Sequence, residues 1–158
     1  MNDPRAYDSE TVLAIATGLK AERGALMLVL HEVQRRFGFV PRESVRDIAR
    51  VLNLSRAEVH GVISFYRDFR STPPGRHLVR VCRAESCQAM GAVKLAAHIG
   101  ERLGIGFDET SNDGAYTLEP VYCLGNCGCS PAIVVDGQMH GRMSASAFDE
   151  ILARLREP

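Results

Sequence analysis

No stretch of this 158-residue chain stays apolar for more than six residues, the longest being Ala25–Leu30. No segment is therefore suited to cross a bilayer as a helix. Charge of one sign is also missing: 19 basic residues stand against 19 acidic ones, which argues against a chain whose main work is neutralising phosphates. Seventeen of the basic residues are Arg, a bias read as composition and not as a site. The start, Met1-Asn2-Asp3-Pro4, has none of the basic-then-apolar order of an export signal. The expected location is cytoplasmic, without nucleic acid or direct membrane contact. Cysteine is absent from the first half and then appears at positions 82, 87, 123, 127 and 129. An odd number without an export signal fits reduced thiols or metal ligands better than a disulfide framework.

What is present divides by periodicity. An apolar fraction of 46% can supply a core, in one domain of average size or two small ones. Asp8 or Ser9 can cap a helix carrying Val12, Leu13, Ile15, Ala16 and Leu19. Leu26, Val29, Leu30, Val33 and Phe37 recur at helical spacing and Gly38 follows as a stop. Pro41 stands before a third helix with Val45, Ile48, Ala49 and Leu52 inward. Ser55-Arg56-Ala57-Glu58 spells a capping box ahead of Val59, Val62, Ile63 and Tyr66. The result is a helical bundle over residues 10 to 70, ended by the linker Ser71-Thr72-Pro73-Pro74-Gly75.

Beyond the linker the period shortens. His77–Val81 reads as a strand closed by Cys82, and Ala92–Leu103 as a helix with Val93, Leu95, Ala96 and Ile99 apolar. Asn112-Asp113-Gly114 predicts a hairpin turn, since Asn and Gly tolerate positive φ, with Tyr116–Val121 as the strand leaving it. Ala132–Val135 and Gln138–Gly141 form a second hairpin across Asp136-Gly137. A last helix, capped by Ser144 or Ser146, carries Phe148, Ile151, Leu152 and Leu155. The order is β-α-β-β-β-α, with every cysteine at a strand end or in the loop after one. The fold class is α+β, with residues 1–75 as the helical bundle and 76–158 as an α/β domain.

The cysteine spacing is Cys-x4-Cys, then 35 residues, then Cys-x3-Cys-x-Cys. Two such pairs on separate loops make a four-thiolate site, and spacing leaves three readings open. Zinc takes four thiolates in a closed structural site. A 2Fe-2S cluster takes two on each iron. Buried free thiols are the plain alternative. Gly91, Gly125 and Gly128 let backbone N–H groups approach the sulfurs and tip the balance slightly toward iron–sulfur.

The residues Val81-Cys82-Arg83-Ala84-Glu85-Ser86-Cys87 and Tyr122-Cys123-Leu124-Gly125-Asn126-Cys127-Gly128-Cys129-Ser130-Pro131 resemble the thioredoxin-like 2Fe-2S subunit family. That family includes the small peripheral subunit of respiratory complex I and the gamma subunits of NAD-dependent formate dehydrogenases and hydrogenases. Phe37-Gly38-Phe39-Val40-Pro41, Leu52-Asn53-Leu54-Ser55 and Val62-Ile63-Ser64-Phe65-Tyr66 are similar to its N-terminal helical extension. The Arg-Ala-Glu-Ser insert after Cys82 looks most like the formate dehydrogenase branch. The resemblance implies a thioredoxin-like second domain and one 2Fe-2S cluster, with Cys82 and Cys87 on one iron and Cys123 and Cys127 on the other. It implies single-electron exchange with a flavin (FMN), NAD-binding partner, and a further catalytic partner carrying molybdenum and iron–sulfur centres. The first domain would dock the partner. Complex I or a NAD-reducing hydrogenase is the alternative setting, and a zinc-stabilised interaction module the rival of another class.

Cys129 falls where the family has a small residue and is expected to be a thiol near the cluster without ligating it. The five histidines, at 31, 60, 77, 98 and 140, show no metal-binding spacing, and His31 and His98 read as surface or helix-packing residues. Thiol–disulfide exchange wants Cys-x-x-Cys, which the chain lacks. Pro131 stands where thioredoxin-like folds often keep a cis proline; an ordinary strand-start proline is the equal alternative. No phosphate loop or nucleophile–base pair appears, so no independent active site and no NAD or flavin binding by this chain is expected.

Overall fold

Capping side chains set where the helices of the first half begin. The computed structural model describes residues 7–156. Asp8 accepts from the N–H groups of Glu10 and Thr11 and opens α1, Ser9–Leu19, supplying acceptors that no helical carbonyl can provide. α2, Ala25–Phe37, ends at Gly38, whose φ of 84° lets its N–H turn back to the Gln34 carbonyl. α3 spans Ser44–Leu52. α4, Arg56–Phe65, opens on the full capping box: Glu58 N–H donates to the Ser55 hydroxyl at 3.1 Å, and Ser55 N–H to the Glu58 carboxylate at 2.8 Å.

These helices belong to a compact unit that runs to Pro73, and a second unit starts at Pro74. Val12, Ala16, Val29, Leu30, Val33, Phe37, Ile48 and Val59 form the first core. Two buried polar side chains tie it. Asp47, 1% exposed, accepts from the Tyr7 hydroxyl and from the Ser9 hydroxyl at 2.6 Å, with Arg46 and Arg50 at 3.5 and 3.8 Å. Gln34 donates to the Asp68 carbonyl at 2.6 Å and accepts from Arg70 N–H at 2.7 Å, pinning the chain after α4. Tyr66 differs from expectation: the helix ends at Phe65, and Tyr66 follows it as the C-cap and is exposed.

The second unit contains β1 (His77–Cys82), α5 (Glu85–Ala89), α6 (Ala92–Leu103), β2 (Glu109–Thr110), β3 (Tyr116–Val121), β4 (Ile133–Val135), β5 (Gln138–His140) and α7 (Ala145–Leu155). The sheet order is β2-β3-β1-β4-β5, with β1 parallel to β3 and every other pair antiparallel. Val79, Val81, Leu118 and Ile133 from the strands pack with Leu95, Ile99, Phe148 and Leu152 from α6 and α7. The β4–β5 hairpin turns at Asp136 and Gly137, with φ of 49° and 84°, the positive pair its two-residue loop requires. The α+β class stands, with helices first and a mixed sheet after. Three elements lie outside the sequence expectation: α5, the two-residue β2 on the near side of the Asn112-Asp113-Gly114 turn, and a 3₁₀ turn at Cys127–Cys129. Val93 is exposed, and the buried stripe of α6 runs through Ala92, Leu95, Ala96, Ile99 and Leu103. Among the described residues no helix is long and apolar enough to cross a membrane.

Candidate metal centre

Parallel pairing brings the two cysteine loops together. Cys82 lies level with Val121 in the β1–β3 register, so the segments after both strands leave the sheet side by side at the same end. The first segment turns at once into α5, which carries Cys87. Cys82 and Cys87 are each 2% exposed, in a small pocket with Ala84, Ala92, Leu124 and Ala132. The two thiols are close enough to act on each other. The second segment bends at Gly125, whose φ of 75° is one glycine adopts freely. Its N–H donates to the Cys123 sulfur at 3.3 Å. Cys127, at the head of the 3₁₀ turn, is close enough to Cys123 to be acted on by it, and both are exposed.

The sulfurs feel each other and the backbone around them. Burial pushes the Cys82 thiol up, and the neighbouring Cys87 adds to this against N–H groups of Ala84 and Leu124. Burial also pushes Cys87 up, but the Ser130 hydroxyl, the Cys82 thiol and the Ala132 N–H outweigh it, so Cys87 falls below its ordinary value. Cys127 is raised first by its hydrogen bond with Cys123 and then by the negative charge of Cys123, with Cys87 contributing from across the loops. Four thiolates at this spacing repel one another, and cations held among them remove the repulsion. Among the described residues no group of three or more Cys, His, Asp or Glu side chains is arranged to hold a metal ion. The thiols stand two and two, the grouping that two irons take, and the backbone N–H groups aimed at sulfur suit a negatively charged cluster.

Cys129 takes no part in either pair. Its carbonyl accepts from Arg142 N–H at 2.6 Å, and a side-chain carbon on Gly141 would stand 2.7 Å from the Cys129 Cβ. The segment after β5 thus straps the 3₁₀ turn down. The Ser130–Pro131 peptide is cis. His98 contacts Asp149 at 3.1 Å and the Phe148 ring, and His31 packs on Phe69, so both are helix-packing residues. Sequence reasoning missed Ser86 and Ser130. Their Oγ atoms are 2.9 Å apart and link α5 to the Cys127 turn. Position beside Cys87 and Cys129 was their only signal.

A family model described as thioredoxin-like 2Fe-2S ferredoxin matches residues 12–156. The chain belongs to that family. The cofactor of the family is one 2Fe-2S cluster, in keeping with the paired thiols. Among curated relatives, a subunit of the NADH-quinone oxidoreductase of Pseudomonas aeruginosa is 37% identical over 130 residues, covering 82% of this chain and 78% of its own. The HndA subunit of the NADP-reducing hydrogenase of Solidesulfovibrio fructosivorans is 30% identical over 142 residues, covering 90% of this chain and 83% of its own. A crystal structure of an air-oxidised NAD+-reducing NiFe-hydrogenase aligns with a TM-score of 0.72 at 20% identity, over 83% of this chain and 22% of that one. That likeness is one of fold.

Proposed function

We propose that this protein is an electron-transfer subunit whose single 2Fe-2S cluster is held by Cys82 and Cys87 on one iron and Cys123 and Cys127 on the other. The observation that carries the reading is the two thiol pairs on neighbouring loops of the sheet, in a member of a 2Fe-2S family. When bound, the cluster supplies storage and release of one electron. The chain's own residues supply the sulfurs, the N–H donors that offset their charge, and the alanine-lined pocket that excludes water from the Cys82/Cys87 side.

The exchange partner in this reading is a flavin-bearing, NAD-binding subunit, which joins two-electron hydride chemistry to one-electron carriers. Two of the relatives are subunits of an NADH-quinone oxidoreductase and of an NADP-reducing hydrogenase, which supports a nicotinamide-linked setting. Within it we place the chain in an NAD-dependent formate dehydrogenase, with a molybdenum-containing catalytic subunit, on the Arg83-Ala84-Glu85-Ser86 insert. No reaction is assigned to this chain itself. The helical unit is the docking element: Phe65 is 78% exposed beside an open apolar groove lined by Leu26, Leu54, Val62 and Tyr66.

The deciding experiment is iron, zinc and acid-labile sulfide analysis of anaerobically purified protein, with EPR after dithionite reduction. About two irons and two sulfides per chain with an S = 1/2 signal are expected. One zinc with no sulfide sinks the reading and leaves a zinc-stapled adaptor. Co-expression with a flavin subunit and a molybdenum subunit of the formate dehydrogenase type then tests the setting: formate-dependent NAD reduction is expected, and hydrogen or quinone activity alone moves the chain to one of the other complexes.

A further inference from the structure

Ser130 and Ser86 are placed where a hydroxyl proton has a choice of acceptors. Ser130 is 8% exposed and its Oγ lies 3.5 Å from the Cys87 sulfur. The same oxygen is 2.9 Å from the Cys127 carbonyl, and Ser86 Oγ is 3.3 Å from that carbonyl. Each hydroxyl has one proton to give. While Cys87 is a thiol, its S–H donates to Ser130 Oγ and the Ser130 proton goes to the Cys127 carbonyl. A ligating Cys87 has no proton, and its sulfur is then a charged acceptor. Ser130 is free to turn to it only if another donor satisfies the Cys127 carbonyl, and Ser86 stands within reach to do so.

Resting on the electron-carrying reading above, we propose that Ser130 is a positioning residue that sets the reduction potential. Its hydroxyl donates to the Cys87 sulfur, and Ser86 frees that proton by occupying the Cys127 carbonyl. Reduction adds one electron and breaks no bond, and the serine proton stays on its oxygen throughout. The added negative charge is shared by the sulfurs, so a donor aimed at one of them favours the reduced state more than the oxidised one. The effect is strongest on the Cys82/Cys87 side, where the pocket is withdrawn from solvent and its dielectric is low. The exposed Cys123/Cys127 side has water to do the same work.

The test is an EPR-monitored redox titration of the full-length, iron-loaded protein. In Ser130→Ala the ratio of reduced to oxidised protein at a fixed potential is expected to fall about tenfold, a shift of ~59 mV for one electron. Ser130→Thr keeps the hydroxyl and is expected to stay near the wild type. Ser86→Ala is expected to shift in the same direction by less. An unchanged potential in Ser130→Ala overturns the proposal. So does an equal shift in Ser130→Thr, which would assign the effect to packing. If Ser130→Ala assembles no cluster, Ser86→Ala decides: a lower potential supports the proposal and an unchanged one overturns it. A wild-type chain without iron or sulfide removes the electron-carrying reading itself, an outcome separate from unchanged potentials in loaded variants.

Discussion

Asp47 in the helical unit and Cys87 in the sheet unit are withdrawn from solvent to nearly the same degree, at 1% and 2% exposure. Asp47 is held by Tyr7 and Ser9, which bring the start of the chain onto its helix, with Arg46 and Arg50 of that helix beside it. Gln34 does likewise for the segment after α4. Around Cys87 the polar neighbours are the Cys82 thiol, the Ser130 hydroxyl and the Ala132 N–H. One unit uses its buried polar groups as ties between pieces of chain; the other sets them around a thiol that is proposed to hold the cluster. Removing a polar group should therefore cost folding energy in the first and change chemistry in the second.

The largest expected effect separates the two directly. Cys87→Ala should lower bound iron and sulfide at least tenfold while the melting of the helical unit is unchanged, as read by metal analysis beside differential scanning calorimetry. Asp47→Ala should do the reverse. It leaves the Tyr7 and Ser9 hydroxyls without their acceptor and should destabilise the helical unit by about 2–4 kcal/mol in urea, with the cluster's visible absorption intact. A bleached Asp47 variant would break the distinction. The same carboxyl gives a pH signature. The Ser9 and Tyr7 hydroxyls hold it below the ordinary carboxylate range against burial. Its stabilisation is thus complete above about pH 4, the unfolded value, and is lost as pH falls through the lower folded one. Urea midpoints followed into acid should drop more steeply for the wild type than for Asp47→Asn.

Smaller changes sharpen the contrast. Gly141→Ala places a carbon against the Cys129 Cβ and the Asn126 side chain, at 2.7 and 2.9 Å. It should cost the sheet unit about 1–3 kcal/mol and hasten cluster loss to a chelator. Ser55→Ala removes one half of the α4 capping box and should cost about 1 kcal/mol, with no change in chelation rate. Cys129→Ser should leave the cluster's absorption as it is. A colourless product there would show that the ligand set includes Cys129.

Long periodic stretches were legible from residues alone. The four N-terminal helices, the capping box at Ser55, β1, β3, the β4–β5 hairpin and the two long helices of the sheet unit follow from apolar spacing and turn residues. Short elements were not. α5 and β2 have five and two residues, too few to show a period, although α5 is the element that sets Cys87 beside Cys82. The cysteine pairs were visible as spacing, but spacing alone left zinc and iron–sulfur both open. The resemblance in the two motifs favoured the cluster, and parallel pairing of β1 with β3 accounts for how the loops meet. The Ser86–Ser130 contact joins residues on different loops, and nothing in one dimension marks it.

Residues 77 and 116 are neighbours in the sheet and far apart along the chain. With the proposed ligands, bonds through the two irons would join residue 82 to residue 127 across a similarly long segment. Such a link acts on the unfolded chain as a disulfide does in a secreted domain, removing freedom from a loop that an unlinked chain could explore. Iron and sulfide would then be a cross-link as well as an electron store, and their loss should lower the melting point of the sheet unit while leaving the helical unit's where it was.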